Sequence, residues 1–351
     1  MDQSEDYQKL REIIAADQAI AGSQILTPSL GELKSGSVSR GFLDFKDMLP
    51  QLSSDELGPL LIDLASTGQR AMGVISPYYS NQMREDGLNL YRTVMPDDWW
   101  KALLEKHFLI TEFVALHRGS EFLWTNFKVS EGTRLRLARV GKVSSVRREL
   151  SRLISRTKVG WRSLTGQCVR RNDLLALLDG KSVAVVGNAR SLNCQDFGRE
   201  IDSHDIVIRF NRVPIVSRGS HGYRTTWVAT GVPINQQRLS SLGASHVLWL
   251  SRYRRKIPRE TASIDNLYLH PTGMIDALAE RSNVMRPTTG LAAIDLLSSS
   301  MARQITLYGF DFYLSQSSSS HQTIETAPHQ FDREELFVRT LVQDDHRFVI
   351  K

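Results

Sequence analysis

Only two cysteines, Cys168 and Cys194, occur among the 351 residues. Two so far apart exclude a cysteine-built zinc site and a disulfide scaffold, and they fit a reducing, cytoplasmic setting. Long apolar runs are missing too, and none approaches the roughly 20 residues that span a bilayer. The opening stretch MDQSEDYQKLREIIAADQ is polar and acidic, unlike a signal or transit peptide. One further scarcity is local. Residues 134–171 hold twelve Lys or Arg and a single acid, Glu149, leaving +11 there and −5 over the rest of a chain whose total is +6. The basic character therefore belongs to one segment and not to the whole protein.

What is present suits one large domain or two ordinary ones, with 41% hydrophobic and 23% charged residues. The basic segment predicts a boundary: a first part over 1–131, a linker over 132–171 and a second part over 172–351. Val143, Val146, Leu150, Leu153 and Ile154 recur at helical spacing among Arg147, Arg148, Arg152 and Arg156. This reads either as a solvated connecting helix or as a basic face resting on an anionic membrane through 134–171. Aromatics are sparse there, which argues against nucleic acid.

The first part reads as an α/β module. Residues 8–20 predict a helix and the stretch LTPSLGELKSGSVSRG a loop. A helix follows from Ser53 or Ser54, then a buried strand in QRAMGVISP, a helix in MPDDWWKALLEKH, and an antiparallel pair in HFLITEFVAL and EFLWTNFKV. This order resembles the C-terminal half of a class I methyltransferase domain. No glycine-rich loop for S-adenosylmethionine precedes it, so a relic or docking module is expected. Trp99, Trp100 and His107 read as core and helix-face residues.

The second part carries chemistry at its strand ends. Val183–Val186 predict an apolar strand closed by Gly187-Asn188-Ala189, where ligands of open α/β sheets bind. There is one glycine where the dinucleotide fingerprint wants three, and Asn188 offers a side-chain amide instead. Next, IDSHDIVIRFN predicts a turn at Asp202–His204 and a strand. Alternation about Phe210 places Arg209 and Asn211 on one face, suited to a phosphate and to a sugar or base edge; read alone, Arg209 equally suits a salt bridge. Downstream, RPTTG leads into a helix over 291–302, with Leu291, Ile294, Leu297 and Met301 on one side. Its Thr288, Thr289 and Gly290 either cap the helix or hold a carboxylate or phosphate. A strand over 305–308 ends at Gly309-Phe310-Asp311.

Taken together, these segments carry a resemblance. VAVVGNARSLNCQDFGREIDSHDIVIRFN looks like the long sialyl motif of the eukaryotic-type sialyltransferase family, RPTTGLAAIDLLSSSMARQITLYGFD resembles the short motif, and HGYRTTW is similar to the G-x-R-T-T stretch between them. His329 with Glu334 five residues on matches the very short motif, and His321 falls in the place of the third. The resemblance covers 181–340 and implies a GT-A-like modified Rossmann sheet. There are departures: Val183 stands where the family has a bridging cysteine, 287–311 has none, and no anchor is visible. Both fit a bacterial member, cytoplasmic or peripheral at the inner membrane.

The resemblance further implies inverting transfer of a sialic acid from its CMP ester to a glycan or glycolipid hydroxyl, without metal or other cofactor. His329 would be the general base and His321 a donor to the leaving phosphate. Glu334 would hold the His329 tautomer or cap a helix. Gly187, Asn188, Arg209, Asn211, Thr288, Thr289 and Gly290 would bind the donor. Two alternatives stay open: CMP-Kdo as donor, for lipopolysaccharide or capsule, and an inactive CMP-binding scaffold.

Overall fold

The computed structural model describes residues 3–19, 25–35, 41–77, 80, 84, 86, 88–116, 121–140, 157, 168–254, 257–312 and 330–351. His321, His329, the HRGS turn and most of the basic segment lie outside the described residues. The chain divides into two units. One joins Met1–Ser80 with Leu90–Ser144, and the other joins Asn81–Asn89 with Ser145–Lys351.

The first unit holds a five-stranded sheet. Its strands are β1 (Ile25–Leu26), β2 (Phe42–Asp44), β3 (Ala71–Ile75), β4 (Glu112–Leu116) and β5 (Glu121–Thr125), in the order β1-β2-β3-β5-β4. β1, β2 and β3 run parallel, and β5 lies antiparallel between β3 and β4. The expected succession of helix, strand, Trp-bearing helix and hairpin is the one observed. Ser53 and Glu56 form a reciprocal capping box that starts the helix Ser54–Thr67. The stretch read as a loop contains a helix, Leu30–Ser35, started by the same device: Ser29 Oγ accepts from Glu32 N–H while Glu32 accepts from Ser29 N–H at 2.6 Å. Trp100 is fully buried, packed with Leu104, Phe45 and Trp124.

In the second unit the strands are β6 (Ser182–Val186), β7 (Ile206–Phe210), β8 (Trp227–Thr230), β9 (His246–Trp249), β10 (Leu267–Leu269), β11 (Gln304–Tyr308) and β12 (Phe348–Ile350). They form one sheet in the order β10-β9-β8-β7-β6-β11-β12, every pairing parallel. The α/β class expected from the sequence is thus the class observed. An all-parallel sheet is covered on both faces, so its strands are apolar in near-continuous runs. β6 shows this: Val183 and Val185 face one core and Ala184 and Val186 the other.

The helix Thr289–Ser298 is the main filling of the first core. Every residue from Leu291 to Leu297 is buried, so it is enclosed all round instead of along one stripe. It stops at Ser298, four residues short of the predicted end, and Met301 is 74% exposed beyond it.

The N-terminal edge of this sheet explains the polar turn of the long motif. Asp205 Oδ2 accepts from the N–H and Oγ of Ser182, joining the starts of β7 and β6. Asp202 accepts the backbone N–H groups of Tyr223 and Arg224, and Arg224 returns its guanidinium to the carbonyls of His204 and Asp205. The D-S-H-D and G-Y-R-T-T stretches are therefore one hydrogen-bonded framework. Among the described residues no helix is long and apolar enough to cross a membrane.

Candidate active site

The strand order reverses between β6 and β11, which lie side by side although their last members, Val186 and Tyr308, are 122 positions apart in the chain. Chain direction on the two sides of that point carries the following loops apart and opens a crevice at the C-terminal edge. A cavity of about 390 Å³ sits there, lined from the ends of β6, β7, β8, β9 and β11 and from the start of the helix Thr289–Ser298.

Its floor is fixed by glycine. Gly187 N–H donates to Tyr308 O at 2.7 Å, and Ala189 N–H to Gly309 O at 3.3 Å. A Cβ on Gly187 would lie 2.3 Å from Gly309 O, so no larger residue fits. Gly309 itself has φ +65°, the left-handed region that glycine occupies without cost. The two turns are pressed together, and Asn188 and Asp311 line the cavity beside them. Asp311 accepts the Ser191 hydroxyl at 2.9 Å. The Phe310 ring stands edge-on to Phe210, centroids 5.9 Å apart, and walls the apolar side.

Asn211 is the first residue beyond β7 and has φ +53°. Its Oδ1 accepts from Gly231 N–H at 3.2 Å and from Thr230 Oγ1 at 3.4 Å, so the amide bridges two strand ends at the cavity wall.

Arg209 is not with it. It lies inside β7, on the face shared with Val207, and is 2% exposed. Its Nε donates to Arg224 O at 2.9 Å and its Nη2 to His221 O at 2.6 Å. Burial lowers its pKa to about 10. The alternation that paired Arg209 with Asn211 fails because the left-handed turn at Asn211 ends the strand's two-residue period. Arg209 is absent from the cavity lining and serves the framework.

Thr288 caps its helix, with Oγ1 accepting from Leu291 N–H at 3.1 Å. Its own N–H and Oγ1–H donate to the two oxygens of Glu334, at 2.8 and 2.6 Å. Glu334 lies in the helix Phe331–Asp344, is 4% exposed, and lines the cavity. Burial raises its pKa to about 7, although both Thr288 bonds oppose the shift. Its carboxylate thus locks the Pro-Thr-Thr-Gly turn instead of capping the helix it belongs to. Thr289 and Gly290 line the cavity at the amino end of the ten-residue helix, where unbonded N–H groups and the helix dipole favour an anion.

Of the expected donor-binding residues, Gly187, Asn188, Asn211, Thr288, Thr289 and Gly290 therefore surround one cavity. The residues missed are Arg212, Gly231, Ser251, Arg252, Tyr253 and Arg286. Five of them follow β7, β8 and β9 within a few residues, and the strand-end rule applied to every parallel strand finds those.

Residues 178–247 match the family model described as glycosyltransferase family 29 (sialyltransferase). The match spans the long motif and the G-x-R-T-T stretch and bears out the resemblance read from them. Among solved structures, the chain is similar to a mammalian sialyltransferase in complex with Gal-beta-1-3GalNAc-ortho-nitrophenol, at 20% identity and TM-score 0.37, over 51% of this chain and 72% of that one. A second, a mammalian sialyltransferase, is 22% identical with TM-score 0.35, over 50% of this chain and 70% of that one. No curated protein matches.

Proposed function

We propose, from the match of residues 178–247 to the glycosyltransferase family 29 (sialyltransferase) model, that the cavity of the second unit takes the CMP ester of a 2-keto sugar acid. The sugar passes to a glycan or glycolipid hydroxyl with inversion. The observation that carries this reading is the convergence of the G-N turn, the F-N end of β7 and the P-T-T-G turn on one cavity at the sheet's reversal point.

The chemistry follows from the groups involved. Asn188 and Asn211 offer neutral amides to the nucleotide and phosphate, and the Thr289–Gly290 helix start suits the sugar's carboxylate. Departing CMP carries its charge on a phosphate of low pKa and needs little assistance. The acceptor hydroxyl has a high pKa and needs a base as its new bond forms. His329 is that base, since a neutral imidazole is abundant near pH 7, with His321 donating to the leaving phosphate. A donor with a single phosphate calls for no divalent metal, so turnover persists in excess chelator.

The test is a donor screen, CMP-sialic acid beside CMP-Kdo, following CMP release with wild type and His329→Ala. We expect one donor to turn over and the variant to lose transfer while still binding CMP. Near-wild-type turnover by the variant places the base elsewhere. CMP binding without turnover of either donor points to a CMP-binding scaffold.

A further inference from the structure

The helix Thr289–Ser298, whose start faces the cavity, is held at both ends by one stretch of chain, the one that begins at Gln330. At the far end Arg347, just ahead of β12, donates from Nη2 to Ser298 O at 3.0 Å and from Nη1 to Ser300 O. Asp345 takes its Nε and Nη2, so the guanidinium is fixed from both sides. A cation there also meets the negative pole of the helix dipole. At the near end stand the two bonds from Thr288 to Glu334, and they are not alone.

Thr288 ends the segment 283–288, which joins the helix Thr272–Ser282 to the Pro-Thr-Thr-Gly turn. Asn283 opens it with φ +52°. Over 283–286 only Val284 is buried, and Met285 is 82% exposed, so apolar contact fixes little of this stretch. Hydrogen bonds to its backbone do more. Gln330 Oε1 accepts from Met285 N–H at 2.9 Å, and Arg333 Nη1 donates to Asn283 O at 2.7 Å. Gln330, Arg333 and Glu334 stand at i, i+3 and i+4, neighbours on one face at the start of the helix Phe331–Asp344. Val338 seats that helix in the core, and it runs on to β12, which pairs with β11.

Apolar packing is non-directional and lets one helix slide along another at small cost, whereas hydrogen bonds of set length resist it. With the far end pinned by Arg347, slack at the near end moves the start of the helix, where Thr289 and Gly290 line the cavity. The Gly187 and Asn211 turns are fixed separately, by the bonds from Gly187 N–H to Tyr308 O and from Gly231 N–H to Asn211 Oδ1. We infer that Gln330 and Arg333 are positioning residues of the donor site. They latch the segment before the Pro-Thr-Thr-Gly turn to the last helix, and so set where the helix start meets the sugar half of the donor. The inference rests on the donor reading above and adds two residues outside the cavity lining.

The double variant Gln330→Met/Arg333→Met removes both bonds with little change of volume. Calorimetry compares CMP with CMP-sialic acid and CMP-Kdo, and CMP release is followed for the donor that wild type turns over. We expect CMP affinity to stay within about twofold and the CMP-sugar to lose about tenfold or more, in affinity or in kcat/KM. The conservative pair Gln330→Glu/Arg333→Lys keeps an oxygen for Met285 N–H and an N–H for Asn283 O, and it recovers most of that loss. Both side chains are half-buried, and a thermal melt with the binding stoichiometry verifies the folded fraction. Where the double variant does not fold, each single variant shows the same selective loss in smaller measure. Arg339→Gln breaks a bond to Glu335 farther along the same helix; it is the control and leaves every value unchanged. CMP-sugar values that stay at wild type overturn the latch. So do CMP and CMP-sugar falling together, the mark of a merely structural role, and a conservative pair that restores nothing. Failure of the donor reading shows separately, as absence of CMP and CMP-sugar binding to wild type, and overturns the positioning role with it.

Discussion

Replacing Glu334 with glutamine isolates the cost of holding a carboxylate where this fold puts it. Burial raises the folded-state pKa from an ordinary 4.5 to about 7. Between those values the folded chain binds a proton that the unfolded chain has released. Folding stability therefore falls as pH rises from about 4.5, and the loss is complete once pH passes the folded value. A shift of roughly 2.5 pH units corresponds to about 3 kcal/mol at 1.36 kcal/mol per unit. Glutamine has no such titration. It keeps one acceptor for Thr288 and gives up the other, costing about 1 kcal/mol at any pH. Relative to wild type, Glu334→Gln is thus about 1 kcal/mol less stable at pH 4.5 and about 2 kcal/mol more stable at pH 8.5. For a unit of this size each kcal/mol moves the melting temperature by roughly 2–4 °C. Melts followed through the buried Trp227 and Trp249 therefore cross over between the two pH values. A difference between the two proteins that stays constant from pH 4.5 to 8.5 refutes the argument.

Three other outcomes test the same structure. Arg209→Met leaves the carbonyls of Arg224 and His221 without their donor and lowers stability by about 2–5 kcal/mol. CMP affinity of the folded fraction stays within twofold, and a tenfold loss instead returns Arg209 to the site. Gly187→Ala drives a methyl to 2.3 Å from Gly309 O, costs about 1–3 kcal/mol through overpacking, and weakens CMP binding by spreading the β6–β11 crevice; unchanged affinity by titration contradicts that account. The +11 segment over 134–171 is worth about 1 kcal/mol per Lys or Arg that reaches an anionic bilayer. Flotation separates the two readings of this segment: recovery with anionic but not neutral vesicles assigns it to a membrane surface, while equal recovery with both leaves the solvated connecting helix.

Much of the second unit was legible because an all-parallel sheet writes itself plainly. Each strand is an apolar run with a glycine or polar residue behind it, as in SVAVV before Gly187 and WVAT before Gly231. The helix after Pro287 announced itself by its capping threonine. Its end was misjudged because Met301 continues the apolar period after the backbone has already turned at Ser299. The hydrogen bonds of Glu334 were not readable. That residue and Thr288 are 46 positions apart, and no local spacing signals that one helix will lock the entrance of another.

The fate of the polar residues in the motifs has a single physical origin. Inside a strand covered on both faces there is no water, so a polar side chain must find partners in the surrounding backbone. Arg209 does so with two carbonyls, and so does Arg224 from its turn. Beyond the last ladder bond the chain is released from both layers, and the residues there face the crevice. Gly187 and Asn188 follow β6, Asn211 and Arg212 follow β7, Gly231 and Val232 follow β8, Leu250 and Ser251 follow β9, and Gly309 and Phe310 follow β11. In four of the five cases the cavity lining begins just past the strand end, and at β7 it begins with the last strand residue, Phe210. One position earlier, arginine is framework.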